Sequence, residues 1–383
     1  MKTDLDILIA GLGSAGCKFL DTCIGQQEVA IPRHIAIHTD QQTLDLCRAE
    51  EKFLLGATFL RGDSTGGDQN LGQQATEQDR SVISEYFLGA DIIFLVTGLG
   101  GGTGTGAAPL LAGWAREQGS IVICFAIQPF FFEGNQKRML AEGGLRELSG
   151  ACDAVVQLSN QNIHNWANEH TGVQDAFEKV NTTLLHNLAA MIDLLSLPGI
   201  MGNVSFTDFE AMLQHSSGAC VMGYGEGEGE SRVEDALSAV VSNPILGKEN
   251  IIGKASGLIV GIIGGPDMTV FELQRIMEAI PAIARSDARL SMGAVVRSNW
   301  RQRIGVAVFA TEKWEESPAL PPDGANNDLE DPEKRAEKKT RQKQSKLSLE
   351  PRGKGFFNGI EPTYHDGNDI DVPTFQRKNI KLV

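Results

Sequence analysis

A run of glycines directly after an apolar segment is the sequence feature that most restricts how this chain can fold. Residues 92–109 read IIFLVTGLGGGTGTGAAP, and six of the nine residues from Gly98 to Gly106 are glycine. Glycine weakens a helix or strand because ordering it costs more backbone entropy than ordering another residue. A plain tight connection between a strand and a helix would require only one or two glycines. The run therefore indicates that another group approaches the backbone closely at the end of a buried strand.

A second glycine motif, GLGSAG at residues 11–16, also follows an apolar segment. The spacing G-x-G-x-x-G is typical of a loop that presents backbone N–H groups to a pyrophosphate at a helix N-terminus. Asp40 ends the next apolar segment, where a dinucleotide-binding protein keeps an acid for the ribose. On this motif alone, NAD or FAD binding is the favoured interpretation, and a plain tight turn is the alternative. A P-loop does not fit, because Cys17 stands where that motif requires lysine.

The first half of the chain alternates short apolar segments with amphipathic ones. The apolar segments predict strands at 5–11, 34–39, 91–98, 120–127 and 153–158, and helical spacing between them predicts helices at 16–25, 77–89 and 108–119. This alternation predicts a parallel sheet covered on both faces, with ligands at the carboxyl ends of the strands. Both glycine motifs fall at that edge, so their amides can surround a phosphate chain from two sides. Thr103 and Thr105 are candidate hydroxyl groups for phosphate oxygens or for the shell of a magnesium ion.

The second half begins with a long helix, predicted from Val173 to Leu197 by apolar residues three or four positions apart. A second α/β region follows, with strands predicted at 255–264, 293–298 and 304–310 and a helix at 269–280. GYGEGEGES (223–231) is predicted to be a mobile loop. After about Glu312 the chain is rich in Pro, Glu and Lys, which predicts disorder. The final segment, 368–383, is either a docking peptide or a frayed terminus.

Composition limits the class of protein. The 383 residues are 42% hydrophobic and 22% charged, as expected for a globular chain with room for two domains. The net charge of −15 argues against nonspecific binding to nucleic acid or acidic lipid. Six scattered cysteines without a C-x-x-C pair favour reduced thiols in the cytoplasm over disulfides or zinc. We expect no direct membrane insertion, because no apolar run reaches the roughly 20 residues of a membrane helix and no secretory signal is evident.

The glycine run GGGTGTG at 100–106 resembles the signature of the tubulin/FtsZ superfamily. Further motifs resemble that family in the same order: GLGSAGCK (11–18), HTD (38–40), STGGDQNLGQQA (64–75), PFFFEG (129–134), DAFEKVN (175–181) and DVPTFQRKN (371–379). The resemblance covers about residues 5–312 and the tail. It implies an α/β fold in five parts: a GTP-binding domain with a Rossmann-like parallel sheet (1–172), a central helix (173–198), a second α/β domain (199–312), a disordered linker (313–367) and a docking peptide (368–383).

The resemblance implies a site for GTP or GDP, with Mg²⁺ bound through the phosphates. Glu133 would accept hydrogen bonds from the ribose, Phe177 would stack on guanine and Asn181 would bind the edge of the base. The implied phosphate-binding residues are Gly13, Ser14, Ala15, Gly16, Cys17, Lys18, Gly102, Thr103 and Gly104. The chain departs from the family pattern at Lys137, where the family has arginine. Arg138 is adjacent to it, and His38 replaces an asparagine.

The resemblance also implies that hydrolysis is completed by a neighbouring subunit, whose loop after the central helix enters the nucleotide site. In the family pattern N-x-D-F-x-D, Asn203 and Asp208 match as catalytic residues. Ser205 replaces the first carboxylate, and Gly202 is an additional residue before the asparagine. A neutral hydroxyl accepts a proton poorly. The hypothesis is therefore that Asp208 maintains GTP hydrolysis and that Ser205 slows it.

The function implied by the resemblance is a GTPase of bacterial cell division that assembles head to tail. Contacts of that kind produce open filaments rather than closed dimers. The protein would act in the cytoplasm at the mid-cell division ring, with other division proteins and without nucleic acid. Its tail would bind a membrane-tethering adaptor of the FtsA type through Pro373, Phe375, Arg377 and Lys378. Two alternatives stay open: a filament protein with very slow or absent GTP hydrolysis, and a nicotinamide- or flavin-dependent enzyme motivated by GLGSAG alone.

Overall fold

The computed structural model describes most of the chain up to Thr311 and four residues beyond it: 5–26, 31–165, 170–197, 199–201, 206–214, 219–243, 245, 251–311, 364–365 and 368–369. The chain divides into two units, Met1–Pro318 and Ala319–Val383. In the second unit the described residues form two short antiparallel strands, Tyr364–His365 and Asn368–Asp369. All other elements belong to the first unit.

The first half of the chain forms six parallel strands, five of them from its apolar segments. They are β1 (Ile7–Leu12), β2 (Arg33–His38), β3 (Glu51–Leu54), β4 (Ile92–Gly98), β5 (Ile121–Gln128) and β6 (Ala154–Ser159), in the order β3-β2-β1-β4-β5-β6. Every residue of β1 is buried, because a parallel sheet is covered on both faces. The five strands predicted from the sequence are confirmed. The edge strand β3 was not predicted, because its sequence EKFL is half polar and partly exposed.

Helices cover both faces of this sheet. They are α1 (Gly13–Gly25), α2 (Gln41–Leu46), α3 (Gln69–Gln78), α4 (Arg80–Ile83), α5 (Gly102–Glu117) and α6 (Asn135–Ala151), with 3₁₀ turns at Ser84–Phe87, Phe131–Glu133 and Asn160–Asn165. One core contains Phe19 and Phe94, and the other contains Leu95 and Trp114. Helix α5 begins six residues before the predicted start, inside the glycine run. A Cβ atom on Gly106 would overlap the carbonyl oxygen of Gln69, so glycine allows α5 to pack directly against α3.

The second half adds a long helix and a mixed continuation of the sheet. Its helices are α7 (Val173–Ser196), α8 (Phe206–Gln214), α9 (Arg232–Val241), α10 (Ile251–Lys254) and α11 (Val270–Ile283), and its strands are β7 (Gly199–Met201), β8 (Ala219–Glu228), β9 (Gly257–Gly264), β10 (Arg289–Val296) and β11 (Arg303–Thr311). The strand order continues from β6 as β8-β11-β9-β10-β7. The long helix predicted from Val173 is confirmed as α7. Its buried residues Leu184 and Leu188 share one core with Phe309 of β11.

The segment GYGEGEGES is not a mobile loop, and that prediction is wrong. Its first six residues form the second half of β8 and pair with β11 from Arg303 to Val308. A Cβ atom on Gly225 would lie 2.4 Å from the backbone nitrogen of Val240, and one on Gly227 would overlap the carbonyl oxygen of Arg232. These glycines therefore serve the close packing of α9 on the strand rather than chain mobility.

Two further properties of the described residues concern the chain's environment. The thiols of all six cysteines are free, and each cysteine is buried. In the part of the chain that the structure describes, no helix combines the length and apolar character that a bilayer crossing requires.

Candidate nucleotide-binding site

A cavity of about 1160 Å³ lies at the carboxyl ends of β1, β2, β4 and β5. Its volume is sufficient for a nucleotide, because small-molecule sites typically measure about 300–1,000 Å³. The residues that line it include members of both glycine motifs and come from seven separate segments: Gly13, Ser14, Ala15, Lys18, His38, Ser64–Asn70, Gly98–Gly104, Ile127, Pro129, Glu133, Gln136, Lys137, Leu140, Asn160, Phe177, Val180 and Asn181. The structure thus brings together the two motifs that the sequence predicted at one sheet edge.

Two helices begin at this cavity without a capping side chain. The N-cap residue of α1 is Leu12, and that of α5 is Gly101; neither makes a side-chain capping hydrogen bond. The first-turn amides of a helix lack intrahelical acceptors and carry the positive end of the helix dipole. Neither first turn contains an acidic residue. The two helix starts therefore form a surface suited to an anion such as a phosphate chain.

The glycines let the two helix starts approach each other. Gly13 has a φ of 69°, and a Cβ atom on it would lie 3.5 Å from the backbone nitrogen of Gly104. The first turn of α1 therefore lies against the first turn of α5 with no side chain between them. Backbone amides of both helix starts consequently lie next to each other at the cavity.

Glu133 and Lys137 lie together on one wall of the cavity. The Glu133 carboxylate accepts a hydrogen bond from the backbone N–H of Phe130 at 2.8 Å and one from Lys137 Nζ at 3.1 Å. Arg138 does not line the cavity; its guanidinium lies 5.5 Å from the centre of the Phe131 ring. Of the two basic residues, Lys137 is thus the one placed at the site.

The ring of Phe177 lies on another wall. Phe177 of α7 is 39% exposed, and its ring meets Phe130 edge to face with centroids 5.4 Å apart. Phe130 also stacks on Phe132 at 4.6 Å. Asn181 lies one helical turn after Phe177 and lines the same cavity. An exposed ring followed by an amide side chain at this spacing can stack on a flat base and bind its edge.

Three residues that the sequence placed near phosphate lie elsewhere. Gly16 packs against the backbone of β1 and β4, and Cys17 is buried with its carbonyl oxygen accepting the thiol of Cys47 at 3.7 Å. Neither residue lines the cavity. The hydroxyl of Thr105 accepts the backbone N–H of Gly100 inside the protein, so the prediction that Thr105 reaches phosphate or magnesium is wrong. Thr103 does line the cavity, and its hydroxyl is bonded to that of Thr39 at 2.7 Å.

The carboxylate of Asp40 caps α2 and does not line the cavity. It accepts hydrogen bonds from the Gln42 N–H and from the N–H and hydroxyl of Thr43. The pKa of Asp40 is lowered, chiefly by the Thr43 hydroxyl. The interpretation of GLGSAG as a dinucleotide-binding motif depended on Asp40 binding a ribose. In the structure, Asp40 caps α2 instead.

The segment Ser64–Asn70 was missing from the predicted site residues and lines a large part of the cavity. Gly66 and Gly67 have φ values of 60° and 90°, and Asp68 caps α3 by accepting the N–H of Asn70. The signal was present in the sequence, since paired glycines between polar residues indicate a loop with a special backbone. The surrounding motif STGGDQNLGQQA was also one of those that carry the family resemblance, although none of its residues was assigned to the site.

The remaining predicted residues cannot be placed in the site. Asn203, Ser205 and Gly202 lie outside the described residues, as do Pro373, Phe375, Arg377 and Lys378. Asp208 falls in α8, but its side chain does not belong to the part of the chain that the structure describes. Within the described residues, no group of three or more His, Cys, Asp or Glu side chains could hold a metal ion.

The parallel sheet and its paired, uncapped helix starts define a nucleotide-binding α/β protein. A family model described as "Tubulin/FtsZ family, GTPase domain" matches residues 6–168, and one described as "FtsZ family, C-terminal domain" matches residues 218–313. Together they match more than half of the chain. The chain therefore belongs to the tubulin/FtsZ family.

Known relatives agree with this assignment. The chain is 33% identical over 306 residues to "Cell division protein FtsZ" of Rickettsia bellii and 34% identical over 307 residues to that of Bartonella bacilliformis. These matches cover 80% of this chain but 66% and 51% of the relatives, which is less than two thirds of each. A solved structure, "FtsZ dimer, empty" from M. jannaschii, has a TM-score of 0.72 at 25% identity and covers 86% of this chain and 96% of that one.

Proposed function

We propose that this chain is a GTPase that polymerises head to tail into filaments of the bacterial cell-division septum. The observation that carries the proposal is the cavity in which the starts of α1 and α5 meet at Gly13 and Gly104, with Phe177 and Asn181 on another wall. The two family models and the names of the relatives support it. We retain the predicted division into a GTP-binding domain, a central helix and a second α/β domain.

The cavity provides a group for each part of GTP. The amides of α1 and α5 would bind the phosphates, and Lys18 and Lys137 would add positive charge. Glu133 would accept the ribose hydroxyls, while Phe177 and Asn181 would bind guanine. Mg²⁺ fits this site as an ion that keeps several waters and is bound mainly by phosphate oxygens. When bound, it would neutralise charge on the phosphates.

The cavity's own carboxylates are already engaged. Among the described residues that line it, the acids are Asp68, which caps α3, and Glu133, which binds Phe130 and Lys137. Phosphoryl transfer depends on an oriented water and on charge stabilisation. We infer that a second copy supplies the water-orienting groups, Asn203 and Asp208, when it stacks on the nucleotide face.

The decisive experiment measures assembly and phosphate release in the same sample. Light scattering and sedimentation with GTP, GDP and a slowly hydrolysed GTP analogue are expected to show filaments with both triphosphates and phosphate release with GTP alone. Asp208→Ala is expected to assemble with release reduced at least tenfold, whereas Glu210→Ala on the same helix controls for loss of a carboxylate. Normal release by Asp208→Ala would exclude the proposed role of this residue.

Ser205 motivates the second candidate function, a filament protein with very slow or absent GTP hydrolysis. A hydroxyl at the position of a carboxylate is a poor proton acceptor. Ser205→Asp is expected to accelerate phosphate release in the assembled state. Assembly of the wild type without any release would favour the filament protein, and an unchanged rate in Ser205→Asp would show that the serine is not limiting.

We also propose that the segment 368–383 docks on a membrane-tethering adaptor of the FtsA type and so places the filaments at the cytoplasmic face of the division site. Pro373 and Phe375 would provide apolar anchors, and Arg377 and Lys378 would provide charge. A chain ending at Gly367 is expected to polymerise normally but to lose recruitment to vesicles that carry the adaptor. Recruitment of the shortened chain at wild-type levels would show that the tail is not the docking element.

A further inference from the structure

His38 makes two hydrogen bonds that together fix which of its ring nitrogens carries a proton. Its Nδ1 atom lies 2.8 Å from the backbone nitrogen of Asp40, whose N–H donates to it. Its Nε2 atom lies 3.0 Å from the Ser14 hydroxyl oxygen. A ring nitrogen that accepts an N–H carries no hydrogen of its own, and a neutral imidazole then carries its proton on the other nitrogen. His38 is therefore the Nε2–H tautomer and donates to Ser14.

The neutral form of His38 is favoured by its surroundings. The side chain is 5% exposed, and burial lowers the pKa of His38, although the carboxylate of Asp40 opposes this effect. Lys18 of α1 lines the same cavity. Protonation at Nδ1 would also be unfavourable because the new ring N–H would face the backbone N–H of Asp40, and neither group can accept a hydrogen bond.

The hydrogen bond from His38 restricts what the Ser14 hydroxyl can do. Ser14 is the second residue of α1, is exposed and lines the cavity. A free serine hydroxyl can donate or accept, and near a helix start it often bonds to the local backbone. With its oxygen held by the Nε2–H of His38, the hydroxyl retains one proton to donate. The partner that the cavity offers at this point is the anion bound by the starts of α1 and α5.

We propose that His38 is a positioning residue of the phosphate site: it holds the Ser14 oxygen as an acceptor and thereby directs the Ser14 hydroxyl proton to a phosphate oxygen of the bound nucleotide. The inference rests on the proposed GTP site. It goes beyond that site by giving the Ser14 side chain, and not only its backbone amide, a contact with phosphate.

The test compares variants that each keep a different one of the two hydrogen bonds made by His38. His38→Asn places an amide oxygen where Nδ1 lies and loses the bond to Ser14, whereas His38→Gln extends an amide N–H towards Ser14. Affinity is measured with a fluorescent GDP derivative, displaced by GTP, GDP or guanosine. We expect His38→Asn and Ser14→Ala each to weaken GDP binding roughly ten- to a hundredfold, as for loss of one hydrogen bond to a charged group. Guanosine affinity should not change, and His38→Gln should remain within about twofold of the wild type.

Three further measurements complete the test. The double variant His38→Asn/Ser14→Ala should lose no more than either single variant, because both remove one contact. His34→Gln, in the same strand but outside the cavity lining, is the matched control and should bind GDP like the wild type. In ¹⁵N NMR spectra at neutral pH, the His38 Nε2 resonance should be that of a protonated nitrogen and the Nδ1 resonance that of an unprotonated one.

The outcomes separate this inference from the function on which it rests. If the wild type does not bind GTP or GDP, the proposed function fails. If the wild type binds them but His38→Asn and Ser14→Ala do so equally well, or lose guanosine as much as GDP, the positioning role fails alone. Should His38→Asn not fold, Ser14→Ala and the NMR tautomer of the wild type decide the matter. A proton on Nδ1 would overturn the inference.

Discussion

A Cβ atom on Gly104 would lie 2.7 Å from the side-chain oxygen of Thr97 at the end of β4. It would also overlap the carbonyl oxygen of Gly98. The first turn of α5 is thus seated directly on the strand that precedes it. A Cβ atom on Gly101, at the N-cap of the same helix, would have no heavy atom within 4 Å. The backbone of Gly101 is extended, with a φ of −100°.

This contrast predicts different stabilities for two substitutions three residues apart. Gly104→Ala should lower the free energy of unfolding by about 1–3 kcal/mol, the usual cost of overpacking. Gly101→Ala should change it by less than about 0.5 kcal/mol, as expected for an uncrowded site. Urea unfolding followed by circular dichroism measures both. Equal stability of the two variants would contradict the close seating of α5 on β4.

Helix α6 offers a sharper pair of neighbouring glycines. A Cβ atom on Gly143 would meet no heavy atom within 4 Å, whereas one on Gly144 would lie 2.5 Å from the Thr105 methyl group. Gly143→Ala should stabilise the protein by about 0.5–1 kcal/mol through reduced chain entropy. Gly144→Ala should destabilise it by about 1–3 kcal/mol through overpacking. Thermal unfolding should therefore shift in opposite directions, and shifts of the same sign would show that α6 does not pack on α5 through this glycine.

Much of the sheet could be predicted because its strands are strongly apolar. All six residues of β1 are buried, and so are all residues of β4 except Gly98, so both stand out as continuous apolar runs. Strand β8 could not be predicted, because Gly225 and Gly227 are required by the close packing of α9 on the strand. A local sequence pattern does not show such a contact between distant segments. Helix α3 was missed because its sequence is almost entirely polar, with Leu71 as its one large apolar side chain.

The site could be predicted in outline but not in the direction of individual side chains. Thr103 and Thr105 both follow the glycine run, and the sequence treats them alike. Helix α5 starts at Gly102, and residues two apart on a helix point to nearly opposite sides. Thr103 therefore lines the cavity while Thr105 turns into the protein. Only the position of the helix start separates them, and the glycine pattern placed that start six residues too late.

Phe177 is predicted to contribute to nucleotide affinity by stacking on the base. Phe177→Ala should weaken GDP binding by about 1–3 kcal/mol, the usual range for stacking of a base on an aromatic side chain. Val173→Ala is the matched control, since Val173 is exposed one turn earlier in α7 and does not line the cavity. Titration with a fluorescent GDP derivative gives both affinities. A loss of equal size in both variants would indicate damage to the start of α7 rather than loss of stacking.

Arg232 is predicted to stabilise the packing of α9 on α11. Its buried guanidinium donates to both oxygens of Glu272, at 2.5 and 2.9 Å, and to Asp267 at 2.7 Å. Arg232→Met leaves these carboxylates without their partner and should lower the free energy of unfolding by roughly 3 kcal/mol. Arg275→Met removes an exposed arginine paired with Glu234 and should cost less than about 1 kcal/mol. Urea unfolding tests both, and similar values would show that the Arg232 cluster contributes no more than a surface pair.

The buried His38 predicts a loss of stability as the pH falls. Its pKa in the folded protein is below the ordinary value of 6.5 because burial disfavours the charged ring, while the facing carboxylate of Asp40 offsets part of this effect. The unfolded chain therefore binds more protons than the folded chain once the pH falls to about 6.5 and below. The stabilisation is fully present above that pH and decreases as the pH falls towards the folded pKa. Urea midpoints at pH 8.0 and 5.5 should thus differ more in the wild type than in His38→Asn, whose side chain does not titrate. His34→Asn, in the same strand, leaves His38 in place and should therefore keep the wild-type difference between the two urea midpoints. If His34→Asn and His38→Asn reduce that difference equally, the pH dependence does not come from His38.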